Sequence, residues 1–190
     1  MKLIGIGGTD GSGKDTLAEV YANQPGWLFI SVTDMLRQEA INRNTPLSRA
    51  NLRQISSEWR HEHGLGVLVD KAMAEFQKQS KTHDFIGLAM VSLRNSGEAD
   101  RVHQLGGQVV WVDADPKVRY QRIKGRNRGT EDHVTYEQFL AEEATQMHHS
   151  GDETTLDLAG VKERADIFIT NNGNDIKSFK ADAAKQLGLN

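Results

Sequence analysis

Residues 8–16 read Gly-Thr-Asp-Gly-Ser-Gly-Lys-Asp-Thr. Glycines at 8, 11 and 13 let a backbone turn tightly and point successive N–H groups inward. Lys14 adds a full positive charge, and a helix beginning beside it would add a partial one. Such a cradle suits the phosphates of a nucleoside triphosphate, so Gly8, Asp10, Gly11, Ser12, Gly13, Lys14, Asp15 and Thr16 are the expected ATP-binding residues. The spacing is that of G-x-x-x-x-G-K-[ST], with Asp15 where a Ser or Thr usually stands. A hydroxyl at that place normally ligates Mg²⁺, and Thr16 is one residue further on. A carboxylate beside phosphates is repelled unless a cation lies between them. Mg²⁺ is therefore expected at Asp15 and Thr16.

The flanking sequence supplies the elements such a loop needs. Residues 2–7 are a short apolar run that reads as a buried strand, and Leu17, Ala18, Val20 and Tyr21 have the spacing of a helix face. Further apolar runs at 27–32, 84–91, 108–112 and 166–170 read as four more strands. Between them lie helical patterns, with Thr33 or Asp34 as the cap of a helix running to about residue 42. Ser48 caps another, Asp115-Pro116 starts a third, and Thr135 with Gln138 forms a capping box. Strands alternating with helices predict a parallel sheet covered on both faces. Ligands of such sheets bind at the carboxyl ends of the strands. The loop after strand one, Asp34 after strand two, Arg94 after strand three and an arginine-bearing helix after strand four should therefore share one rim.

At 190 residues the chain suits a single domain. A formal net charge of −3 argues against a general nucleic-acid binder. No apolar run is long enough to span a membrane, and the N-terminal run does not read as a signal peptide. Without cysteine there is neither disulfide nor thiolate chemistry. The cytoplasm is the expected location, and the sequence leaves the oligomeric state open.

Taken as an ordered set, these motifs resemble the nucleoside monophosphate kinase branch of the P-loop kinases, over nearly the whole length. Residues 11–16 are similar to the loop of deoxynucleoside monophosphate kinases. Residues 33–37 are similar to the adenylate kinase stretch whose arginine holds the acceptor phosphate. Ser92-Leu93-Arg94 and residues 105–109 again look like deoxynucleotide kinases, and 122–126 like the start of a mobile lid. Residues 165–169 with Asn172-Gly173 are similar to the closing strand of dephospho-coenzyme A kinases and their archaeal relatives.

The resemblance implies an α/β three-layer fold with five parallel strands ordered 2-3-1-4-5. It also implies an acceptor-binding helical insertion at about 33–80 and a lid at about 122–150. The implied activity is γ-phosphoryl transfer to a nucleoside monophosphate, with a deoxynucleotide among the candidates. Transfer to a ribose hydroxyl, as in dephospho-coenzyme A kinase, and a nucleotide-binding regulatory module with little turnover are the alternatives.

In the kinase reading Lys14 holds the β- and γ-phosphates, while Arg37 and Arg94 grip the acceptor phosphate as bidentate guanidinium partners. Arg122 and Arg126, four apart on one helix face, close over the transferred group, with Arg119 and Arg128 as alternates. Asp34 either caps a helix, binds the acceptor, or acts as general base towards a hydroxyl. One departure stands out. Relatives carry an aspartate near the end of strand three that holds Mg²⁺ through water. Here that end reads Met90-Val91-Ser92, so either metal binding is weaker than in those relatives or Asp10, Asp15 or Asp113 substitutes.

Overall fold

The computed structural model of the protein describes residues 1–126 and 134–189, Arg126 by its backbone alone. Five apolar runs form strands: β1 (Lys2–Gly8), β2 (Trp27–Ser31), β3 (Gly87–Leu93), β4 (Gln108–Asp113) and β5 (Ile167–Thr170). They make one parallel sheet in the order β2-β3-β1-β4-β5. The glycine-rich loop therefore leaves the sheet from its central strand, between the ends of β3 and β4.

Side chains along a strand alternate between faces, and both faces here are covered. Ile4, Ile6, Ala89, Val91, Val110 and Val112 pack under α1 (Lys14–Ala22) and α9 (Ile176–Gln186). Leu3, Leu88, Met90, Val109 and Trp111 point the other way. They meet α2 (Val32–Asn42), α3 (Arg49–His63), α4 (Val67–Gln79), α5 (Ser96–Gln104) and the short α8 (Leu158–Glu163). Helices α6 (Pro116–Arg126) and α7 (Tyr136–Met147) follow β4. Trp59 and Trp111 are both core residues. No helix among the described residues is long and apolar enough to cross a membrane.

Local chemistry moved three expected boundaries. The Ser31 side chain accepts from Asp34 N at 3.2 Å. Ser31 is thus the cap of α2, the helix starts at Val32, and Asp34 sits in its first turn instead of capping it. Strand β3 runs 87–93, not 84–91, and near its end the register with β1 shifts between Ile6 and Gly7 where Ser92 takes a left-handed φ of 78°. Helix α8 was not foreseen: at six residues it is too short to show a helical period, and its Asp157 cap is its clearest local signal. The capping box at Thr135 and Gln138 is present. Asp115 caps the start of α6, its Oδ1 accepting from Lys117 N at 2.8 Å.

Candidate active site

The loop between Gly8 and Lys14 is held by close packing that only glycine permits. Gly11 has φ 82°, and a Cβ there would lie 2.8 Å from the Arg119 carbonyl oxygen. Gly13 has φ 99°, and its Cβ would lie 2.3 Å from Asn171 Nδ2. Any side chain at either position meets both backbone strain and a collision. Lys14 is only 5% exposed. Its Nζ donates to the Thr9 carbonyl at 3.3 Å and lies 3.6 Å from Asp10 Oδ1. The hydroxyls of Thr9 and Ser12 are buried and lack a hydrogen-bond partner among the described residues. An orphaned buried hydroxyl is costly, and two in one loop mark a place where a polar ligand would repay them.

Asp10 bridges the loop to the end of β3. Its Oδ1 accepts from Arg94 Nη2 at 2.9 Å, and Arg94 Nη1 donates to Gln146 Oε1 of α7 at 3.0 Å. Burial pushes the Asp10 carboxyl up, but the positive charges of Arg94 and Lys14 outweigh that and hold it well below the usual carboxylate range. The sign follows: the pairing stabilises the fold at neutral pH and is lost only as pH falls through the lowered value. Burial likewise disfavours the Arg94 charge, and the Asp10 carboxylate reverses that.

A cleft of about 700 Å³ opens beside the loop, between α1, the α2–α3 region and the end of β3. Asp10, Lys14, Asp15, Asp34, Arg37 and Arg94 all line it, so six of the expected site residues, from three different strand ends, do share one rim. Arg37 Nη1 donates to Asp34 Oδ1 at 2.7 Å, and both side chains are exposed. Arg53 also lines the cleft, and its guanidinium has no hydrogen bond or ion pair among the described residues. Burial, with repulsion from Arg94 and Arg49, makes its charge less favourable than usual. Sequence reasoning missed it, although Arg49, Arg53 and Arg60 are spaced four and seven apart on α3, a one-face stripe.

Of the three carboxylates that could take a divalent cation, two are engaged. Asp10 is held by Arg94 and Lys14, and Asp113 Oδ2 accepts from Lys162 at 3.1 Å. Asp15 has no partner among the described residues, is exposed, and faces the cleft. A hard oxygen donor in that position fits Mg²⁺. Thr16 is half-buried and is not one of the residues that line the cleft.

The α6 arginines lie behind the loop. Arg122 Nη1 donates to the Gly11 carbonyl at 3.2 Å. Its Nη2 reaches the carbonyls of Asn171 at 3.0 Å and Gly173 at 2.5 Å, and Asn171 Oδ1 at 3.2 Å. Arg119 is buried, donates to the Ala114 carbonyl at 2.8 Å, and forms a forked pair with Glu143. The Arg126 side chain and all of Arg128 lie outside the described residues.

A five-stranded parallel sheet in this order, with a glycine-lysine loop leaving its central strand, is the fold of the P-loop kinases. Residues 4–143 match the AAA_18 family, described as an AAA domain, and the chain belongs to that family. Among curated relatives, a UPF0200 protein of Pyrobaculum aerophilum is 26% identical over 190 residues, 98% of this chain and 97% of that one. A UPF0200 protein of Hyperthermus butylicus is 27% identical over 186 residues, 97% of this chain and 92% of that one. Among solved structures, TT1252 from Thermus thermophilus aligns with a TM-score of 0.61 at 19% identity, covering 99% of this chain and 97% of that one. Shikimate kinase from Bacteroides thetaiotaomicron aligns at 0.57 and 13%, covering 98% of each. At these identities the structural likeness speaks for the fold.

Proposed function

We propose that the protein is an ATP- and Mg²⁺-dependent phosphotransferase that moves the γ-phosphoryl group to a nucleoside monophosphate, a deoxynucleotide among the candidates. The observation that carries this reading is the pairing of a phosphate loop with Arg53. Its guanidinium, without a hydrogen bond or ion pair among the described residues, stands in the same cleft, beside Arg49 and Arg94. Asp10 answers Arg94 and Glu142 lies 3.8 Å from Arg49, so of these three guanidinium groups it is Arg53 that an anionic visitor would meet. In this reading residues 33–80 form the acceptor-binding insertion and 122–150 the lid. Gly8, Gly11, Ser12, Gly13 and Lys14 hold the donor phosphates, and Asp15, which faces the cleft, holds the cation.

Phosphoryl transfer asks the protein for positioning and charge neutralisation more than for covalent chemistry. A bound Mg²⁺ supplies further neutralisation of the phosphate oxygens. Lys14 neutralises the donor, Arg37, Arg53 and Arg94 orient the acceptor anion, and Arg122 braces the loop from behind through the Gly11 carbonyl. The decisive experiment is ADP release from Mg²⁺–ATP against a panel of ribo- and deoxynucleoside monophosphates, with dephospho-coenzyme A included. A monophosphate that stimulates release supports the reading, and silence across the monophosphates overturns it. Within it, Arg53→Ala should raise the acceptor KM about 10- to 100-fold with ATP KM unchanged, the scale of one charge-assisted hydrogen bond. An unchanged acceptor KM removes Arg53 from that role.

A second reading, transfer to a hydroxyl, is favoured by the position of Asp34. It is exposed on the cleft wall, and Ser31 has taken over the capping duty. A hydroxyl acceptor needs a base, whereas a phosphate acceptor is already anionic. Asp34→Asn should then lower kcat about 100-fold or more if the acceptor is a hydroxyl. With a phosphate acceptor kcat should change little. The kcat ratio of the two proteins decides between the readings.

A further inference from the structure

We propose that Asn171, at the end of β5, is a positioning residue for the phosphate loop. It fixes the Ser12–Gly13 peptide so that the loop's N–H groups stay aimed at the ligand side. This rests on the reading that the loop holds nucleotide phosphates.

The argument begins with the peptide unit. In a trans peptide the C=O and the following N–H point in opposite directions. A loop that offers its N–H groups to an anion must therefore turn carbonyls outward, and each outward carbonyl needs a donor. Around this loop the donors come from far along the chain. Asn171 Nδ2 donates to the Ser12 carbonyl at 2.8 Å, and that bond is buried. Holding this carbonyl on the Asn171 side turns the Gly13 N–H to the opposite side. Arg122 Nη1 holds the Gly11 carbonyl at 3.2 Å.

The amide is itself oriented. Its Oδ1 accepts from Arg122 Nη2 at 3.2 Å, its backbone carbonyl accepts from the same nitrogen at 3.0 Å, and its backbone N donates to the Asp113 carbonyl at 2.8 Å. With a guanidinium on one side and a carbonyl on the other, only one orientation of the amide satisfies both. The contact is tight: a Cβ on Gly13 would lie 2.3 Å from Nδ2. Neither alanine, aspartate nor leucine could place a donor at that point. Asn172 is the natural control. Its Oδ1 accepts from Asp115 N at 2.7 Å, a bond of the same turn that does not involve the loop.

The test uses the full chain and two readouts. Calorimetric titration with ATP should show Asn171→Ala binding about tenfold more weakly or worse, with Asn172→Ala within about twofold of wild type. In a working kinase assay the ATP KM should rise while the acceptor KM holds, a split that general destabilisation does not give. Hydrogen exchange on the ligand-free protein should show the Ser12 and Leu17 amides, bonded to the Thr9 and Gly13 carbonyls, opening at least about tenfold faster in Asn171→Ala, and unchanged in Asn172→Ala. Asn171→Asp keeps the acceptor for Arg122 but sets a carboxylate oxygen against the Ser12 carbonyl in place of the donor, so it gives at least the same loosening should the alanine variant not fold. Wild-type exchange across the loop in Asn171→Ala or Asn171→Asp overturns the proposal. So does equal loosening in Asn172→Ala. Failure of the wild-type protein to bind ATP would count against the functional reading instead, because the exchange result stands without nucleotide.

Discussion

Replacing Lys14 with alanine is expected to lower turnover by about a thousandfold, on the scale of removing one preorganised charge from a transferring group, roughly 4 kcal/mol. The fold should survive. Lys14 is buried, but what it leaves behind is not stranded: Asp10 keeps its 2.9 Å bond to Arg94, and the Thr9 carbonyl keeps the Ser12 N–H at 3.3 Å. Circular dichroism and melting temperature should therefore stay near wild type while ADP release collapses. Lys14→Ala turning over at the wild-type rate would remove the loop from the proposed site altogether.

The largest effect on stability is expected at Arg60 and Glu98. Glu98 is fully buried, and Arg60 is 3% exposed. Arg60 Nη2 and Nε donate to Glu98 Oε1 at 2.7 and 3.1 Å, while Arg60 Nη1 reaches the Thr154 carbonyl at 2.8 Å. The other carboxylate oxygen accepts from the backbone N–H of Arg94 at 2.7 Å and of Asn95 at 3.3 Å. One pair thus joins α3, the end of β3, the start of α5 and the segment leading into α8. Arg60→Ala leaves a buried carboxylate without its counter-charge and should cost about 3–5 kcal/mol. In a chain of this size that is a melting point lower by roughly 10 °C. The double variant Arg60→Met with Glu98→Gln should be less damaging than Arg60→Ala, because it removes both charges together. Thermal melts of wild type, Arg60→Ala, the single variants Arg60→Met and Glu98→Gln, and the double variant check this. A fully additive double variant would mean that the pair is not coupled.

The parts of this molecule legible in the sequence are those written in short-range patterns. The loop is legible because glycine and lysine spacing is its chemistry, the parallel sheet because apolar runs alternate with helices, and the strand order only through the resemblance to the P-loop kinases. Asp10, Arg37 and Arg94 reach one cleft because each follows a strand whose end lies on the same rim. What stayed hidden depends on which side chain finds which partner across the fold. Glu98 reads as an ordinary charge on a helix, and nothing local says it is wholly buried beneath Arg60. Asn171 reads as a turn residue, since its work is done on a carbonyl far back in the chain. Arg122 reads as an arginine of the lid, but its guanidinium contacts loop and turn carbonyls. The cap of α2 was misplaced for a simpler reason: Ser31, Thr33 and Asp34 are all good caps, and only the end of β2 decides among them.

The bond between Asn171 and Ser12 spans 159 positions of sequence. A ribosome would release the glycine loop 159 residues before its rear support. A chain still short of β5 could form β1, the loop and α1, yet the Ser12 carbonyl would have only water to hold it. Maturation of the anion cradle therefore waits on closure of the sheet's far edge, a four-residue strand. By mass action, whatever fills the cradle then fastens that edge in return.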